Sequence, residues 1–147
     1  MGRLAIVVLA AAVLSGCARE QEAELPASCR AGPEAVQAAL ARAPEPVTLD
    51  GTPLSGCLAR SGDPGEIQQV GGDFLTVTTV LAAEARRDPE SPEALRLGYL
   101  VGAVRRGATT TQGFHAEMVR RIEQELLPLD TSTRAFRRGQ RAGRADG

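Results

Sequence analysis

Apolar residues recur at helical spacing through the middle of the chain. The longest series alternates steps of three and four, which places its members on one face of a helix. Asp63 and Pro64 supply a cap and a first-turn proline, so we predict a helix from Pro64 to about Arg87. The glycine pair Gly71-Gly72 weakens it, and the stretch 74–80 is also good strand material, so a strand there is the alternative. The series is Ile67, Val70, Phe74, Val77 and Leu81.

A second helix is predicted from Pro92, which follows the cap Ser91, to about Arg106. One of its sides carries the aliphatic residues Leu97, Leu100, Val101 and Val104. Another side carries small residues every four positions, namely Ala94, Gly98 and Gly102. Small residues at this spacing let two backbones approach closely. We expect tight packing inside one bundle, with a dimer seam as the alternative.

The last predicted helix runs from Gln112 to Leu127, with caps from Thr109-Thr110-Thr111, and Pro128 ends it. Its apolar stripe is Phe114, Met118, Ile122 and Leu126, with His115 and Val119 beside it. A shorter helix is expected from Pro33 to about Ala43.

The stretch from Val47 to Cys57 reads as irregular. Asp50-Gly51 is a strong turn signal, and Pro53 limits any strand pairing to two or three residues. The fold class is therefore all-α: a small four-helix bundle over residues 28–127, antiparallel because the connections are short. The irregular stretch forms a disulfide-linked turn beside that bundle.

The N-terminus has a different pattern. Arg3 precedes an apolar run from Leu4 to Leu14, and small residues follow. This is the layout of a secretory signal peptide. The run is too short for a spanning helix, which needs roughly 20 apolar residues.

The end of that run, Leu14-Ser15-Gly16-Cys17, resembles the lipobox of bacterial lipoproteins. The resemblance implies that residues 1–16 are removed and that Cys17 carries fatty acyl chains such as palmitate. The protein would then be lipid-anchored on the extracytoplasmic face of the cell membrane or outer membrane. Ala18 lacks the aspartate that family members use to stay at an inner membrane. Residues 17–27, rich in Glu, Gln and Ala, are expected to be a flexible tether.

Two cysteines, Cys29 and Cys57, remain once Cys17 is assigned to acylation. Exported proteins fold in an oxidising compartment, so we predict a disulfide between them. A metal site is the competing interpretation, but one histidine and two distant cysteines do not make a zinc set. No cofactor or metal is expected.

Charge separates the last segment from the rest of the chain. All 17 basic residues are arginine, while the net charge is only -1, so nothing draws the whole chain towards nucleic acid. Residues 128–147 are poor in apolar residues and are predicted to be a disordered tail. A solvated tail is the simplest interpretation, and contact with anionic surfaces is the functional one. The tail holds Arg134, Arg137, Arg138, Arg141 and Arg144.

Catalytic motifs are not evident. His115 is the single histidine, and at the edge of a helical stripe it is expected to be a packed or surface residue. No Gly-x-Ser-x-Gly elbow or phosphate-binding loop is found in the sequence. The sequence therefore favours a structural or interaction protein of the envelope. Binding of a lipid or other small hydrophobic ligand in an interhelical groove is the alternative, and an enzyme ranks third.

Overall fold

A computed structural model of the chain describes residues 24–108 and 113–147. Within them the fold is mostly helical, as predicted, but it has six α-helices rather than four. These are α1 (Pro33–Leu40), α2 (Leu54–Arg60), α3 (Pro64–Arg87), α4 (Pro92–Gly107), α5 (Phe114–Leu126) and α6 (Arg134–Asp146). A 3-10 turn (Ala27–Arg30) and two short antiparallel strands, β1 (Thr48–Leu49) and β2 (Thr52–Pro53), complete the described part.

The longest helix, α3, confirms the prediction from periodicity and rules out the strand alternative for residues 74–80. All five residues of its apolar series are buried. The Asp63 side chain caps the helix by accepting a hydrogen bond from the Glu66 backbone N–H at 2.8 Å. Of the two glycines, Gly71 lies directly under Met118 of α5, whereas Gly72 faces open space. One glycine therefore makes room for a neighbouring helix.

Helix α4 lies at the centre of the fold and packs against α2, α3 and α6. Its cap is as predicted, since the Ser91 hydroxyl accepts from the Ala94 N–H at 3.2 Å. Tyr99 of α4 is fully buried, and its hydroxyl oxygen accepts a hydrogen bond from the Val47 N–H at 2.9 Å. Burial raises the pKa of Tyr99, so the hydroxyl is neutral at physiological pH.

The predicted Cys29–Cys57 disulfide is present, with the two Cα atoms 5.4 Å apart. The Asp50-Gly51 turn is also confirmed: both residues have positive φ and they join β1 to β2. The description of 47–57 as irregular is wrong beyond Pro53, because Cys57 lies in helix α2. That helix forms because Leu54 and Leu58, one turn apart, are both fully buried.

The buried stripe of α5 differs from the predicted apolar stripe at one position. The buried residues are His115, Met118, Ile122 and Leu126, whereas Phe114 is 63% exposed. The imidazole takes the inward position because its Nε2 lies 2.9 Å from the carbonyl oxygen of Leu58, within hydrogen-bond distance. The predicted threonine caps at 109–111 lie outside the described residues.

Two predicted boundaries are wrong. Leu25, assigned to the tether 17–27, is 2% exposed and belongs to the core. The tail 128–147, predicted to be disordered, contains α6 from Arg134 to Asp146. Low apolar content did not prevent folding, because α6 packs through small residues against α4. The predictions for residues 1–23, including the signal peptide and acylation of Cys17, lie outside the described residues.

Candidate interaction surface

The contact between α4 and α6 is made through glycines. A Cβ atom on any of four glycines would lie under 3.0 Å from a backbone carbonyl oxygen of the other helix. These residues, which we call the glycine seam, are Gly98 and Gly102 on α4 and Gly139 and Gly143 on α6. The expected tight intrachain packing of Gly98 and Gly102 is thus confirmed.

The glycine seam also fixes the direction of α6. Gly139 lies against Leu95 and Gly143 against Tyr99, one turn further along both helices. The two helices therefore run parallel, a contact that the predicted four-helix bundle over residues 28–127 did not include, because α6 lies beyond it.

Both ends of α6 are held by side chains from other elements. At its start, the Glu90 carboxylate accepts hydrogen bonds from the backbone N–H groups of Arg134 and Ala135, each at 3.0 Å. At its end, the Arg106 guanidinium donates to the Ala145 carbonyl, and the Ser55 hydroxyl donates to the Gly147 carbonyl. A negative group at the N-terminus and a positive group at the C-terminus of a helix both favour its dipole. The orientation of α6 is therefore fixed along its whole length.

The arginines of α6 lie opposite the glycine seam. All five side chains are exposed. At 100° per residue they fall within an arc of about 120° and extend along about 15 Å of the helix. We call this set the arginine face: Arg134, Arg137, Arg138, Arg141 and Arg144. The residues predicted to contact anionic surfaces are thus brought together on one side of one helix.

Positive charge on the arginine face is not neutralised by ion pairs. Within residues 24–108 and 113–147, the five ion pairs involve other arginines. Asp130 is close enough to respond to the face: hydrogen bonds from Ser132 lower its pKa, and the positive charge of Arg137 lowers it further. Glu90 is already hydrogen-bonded to the backbone of α6. The face therefore presents its guanidinium groups to solvent.

A surface groove borders the arginine face between α5 and α6. Its volume is about 570 Å³. The Arg105–Glu123 ion pair, at 2.7 Å, joins α4 to α5 on one wall. Apolar lining comes from Leu126, Leu127, Leu129 and Phe136, and polar lining from Arg105, Glu123, Thr131, Arg137 and Gln140. The groove is amphipathic rather than purely apolar.

Two other titratable side chains, His115 and Asp73, lie wholly or partly inside the fold. His115 is 5% exposed, and its Nε2 is engaged with the Leu58 carbonyl. Asp73 has one buried carboxylate oxygen without a hydrogen-bond partner, and burial together with nearby Glu34 raises its pKa. No group of three or more His, Cys, Asp or Glu residues suited to a metal ion occurs among the residues that the structure describes.

Comparisons with family models, curated proteins and solved structures found no match for this chain. In the described ranges, none of the helices combines the length and the apolar character that crossing a bilayer requires.

Two features of the site were missed from the sequence. Nothing in the sequence singles out Glu90, which caps a helix 44 positions further on. A contact between residues so far apart in the chain leaves no local signal in the sequence. The second feature is the helix that packs against Gly98 and Gly102. It is detectable in the sequence, because Ala135, Gly139 and Gly143 repeat the same four-residue spacing.

Proposed function

We propose that this protein is a lipid-anchored interaction protein of the bacterial envelope. Acylated Cys17 holds it on the extracytoplasmic face of the cell membrane or outer membrane, and the helical domain offers the arginine face to an anionic partner surface. The observation that carries the proposal is that face: five exposed arginines that form no ion pair with any residue the structure describes, on a helix whose other side packs closely against the core. The Cys29–Cys57 disulfide supports export, because disulfides persist in oxidising compartments.

The anchor is tested by metabolic labelling with a fatty acid in a bacterial host. We expect label on the wild-type protein and none on Cys17→Ser, which a wash with 1 M salt should also release from the membrane fraction. One diacylglyceryl group supplies two chains, and two chains anchor stably where one does not. The matched control is the double variant Cys29→Ser, Cys57→Ser, which should keep the label. Labelling that survives Cys17→Ser would overturn the anchor.

The interaction surface is tested by photo-crosslinking in intact cells. A crosslinking side chain at Ala145, which is exposed beside the arginines, should capture a neighbouring molecule. The same side chain at Val80, which is 44% exposed on α3, serves as the matched control. Equal capture at the two positions would contradict a specific role for α6.

A second candidate function is suggested by the groove between α5 and α6. Its four apolar residues and its two arginines suit a small amphiphile with an anionic head. A fluorescent fatty acid should gain emission on binding, and Leu127→Asp should abolish that gain. Leu127 is 83% exposed, so the substitution spares the core. Val80→Asp is the control, and equal loss in both variants would remove this candidate.

A further inference from the structure

We infer that the arginine face of α6 binds the anionic phospholipid headgroups of the same membrane that holds the anchor. This inference rests on the proposed function and names the partner of that surface. The protein would then have two contacts with one bilayer: the acyl chains at Cys17 and an electrostatic contact through a folded helix. The second contact sets which side of the domain faces the lipid.

The distribution of charge supports this orientation. The whole chain has a net charge of -1, while α6 contributes five arginines against the single acid Asp146. The remainder of the chain is therefore acidic overall. An anionic bilayer attracts the arginine face and repels the other sides, so one orientation is favoured over the rest.

Guanidinium chemistry also suits the partner. Arginine presents a planar set of donors that matches phosphate oxygens in a bidentate geometry. The face spans about 15 Å along one side of one helix, so several donors can reach a plane of headgroups at once. Binding then gains from each additional phosphate that is reached.

The short tether keeps the domain close to the membrane. Leu25 is already part of the core, so only eight residue steps separate it from Cys17, and they span at most about 29 Å. A domain of this size has a radius of gyration of about 13–14 Å. The tether and the domain together therefore keep α6 within a few tens of ångströms of the headgroups, where local concentration is high.

The experiment measures vesicle binding without the acyl chains. The chain from residue 17 onwards, carrying Cys17→Ser, is mixed with sedimentable vesicles of phosphatidylcholine alone or with added phosphatidylglycerol. The test variant is Arg137→Gln, Arg138→Gln, Arg141→Gln. The matched control, Arg42→Gln, Arg60→Gln, Arg86→Gln, removes the same charge from exposed arginines outside α6. Circular dichroism checks that all three proteins stay folded.

We expect binding to the anionic vesicles only, and a much larger loss in the α6 variant than in the control. Each arginine near such a surface contributes about fivefold in binding, so losing three should weaken it about 100-fold. Binding should also disappear at 1 M salt, where the Debye length is about 3 Å.

Two outcomes would overturn the inference. Equal losses in the two variants would mean that net charge alone drives binding. Wild-type binding that is the same with and without phosphatidylglycerol would mean that lipid is not the anionic partner, and an acidic protein would take its place. Failure of the proposed function is seen separately, because fatty acid labelling at Cys17 is measured in cells and does not depend on vesicle binding.

Discussion

Helices α5 and α6 are both amphipathic, but they join the core by opposite means. Helix α5 inserts long side chains: Met118 covers Gly71 of α3, and Ile122 is 1% exposed. Helix α6 instead brings its backbone against that of α4 through Gly139 and Gly143. The contact made by α5 depends on large side chains that fill the interface. The contact made by α6 depends on glycines, which have no side chain to separate the two backbones.

The two helices also treat their charges differently. On α5, Glu117 pairs with Arg120 and Arg121, and Glu123 pairs with Arg105 of α4. On α6, none of the five arginines has an ion-pair partner within the described ranges. Charges that neutralise one another make a solvated surface, whereas unpaired charges of one sign attract an outside partner. Of the two helices, α6 is therefore the candidate for binding.

The largest expected effect is on the side-chain contact of α5. Ile122→Ala should lower the free energy of unfolding by about 2–5 kcal/mol, because it removes a buried side chain and leaves a cavity. Urea denaturation followed by circular dichroism measures it. Leu127→Ala, at an 83% exposed position, is the control and should change stability by less than about 0.5 kcal/mol. Similar losses in both variants would mean that α5 is not held by its buried stripe.

At the glycine seam, adding atoms rather than removing them should destabilise the fold. Gly139→Ala should lower the free energy of unfolding by about 1–3 kcal/mol, because the added methyl meets the Leu95 carbonyl. Gly72→Ala, where nothing lies within 4 Å, should instead stabilise α3 by about 0.5–1 kcal/mol. Thermal melts of the two variants provide the comparison. A stabilising Gly139→Ala would show that α4 and α6 do not approach as closely as described.

The Glu90 contact at the start of α6 should have a smaller effect. Glu90→Ala removes the acceptor of two backbone N–H groups and should cost about 0.5–2 kcal/mol, as loss of a helix cap does. Hydrogen exchange at the amides of Arg134 and Ala135 should become faster. Glu45→Ala, at another exposed glutamate, is the control. Unchanged exchange at both amides would contradict the cap.

The smallest effect concerns the paired charges of α5. Hydrogen bonds from Arg120 and then Arg121 lower the pKa of Glu117 from 4.5 to about 2. A lowered pKa in the folded state stabilises the fold above about pH 4.5, and this contribution is lost as pH falls towards 2. An NMR titration of the Glu117 carboxyl measures the midpoint. In the double variant Arg120→Gln, Arg121→Gln the midpoint should return towards 4.5, and a midpoint that stays near 2 would contradict the assigned cause.

Periodicity of large apolar residues predicted much of the fold. It located α3 and α4 closely, because steps of three and four persist over several turns and the caps Asp63 and Ser91 mark their starts. It missed α6, because glycine and alanine carry little hydrophobic signal. Their packing energy comes from close backbone approach, which hydropathy does not measure.

The candidate site was predicted in composition but not in arrangement. The five arginines were identified, yet their alignment on one face follows only once the segment is known to be helical. The error at Phe114 has a related origin. Ranking residues by apolarity favours Phe114 over His115, but the hydrogen bond between His115 and Leu58 depends on α2, which was itself not predicted.

The glycine seam has a consequence for mutational tolerance around α6. Any base change that replaces Gly139 or Gly143 adds at least a methyl group, so almost no alternative residue is acceptable on that side. On the other side, lysine at an arginine position keeps the charge, and many exchanges leave the fold intact. A saturation screen would therefore divide one short helix into a nearly invariant half and a permissive half, with selection for shape on one and for charge on the other.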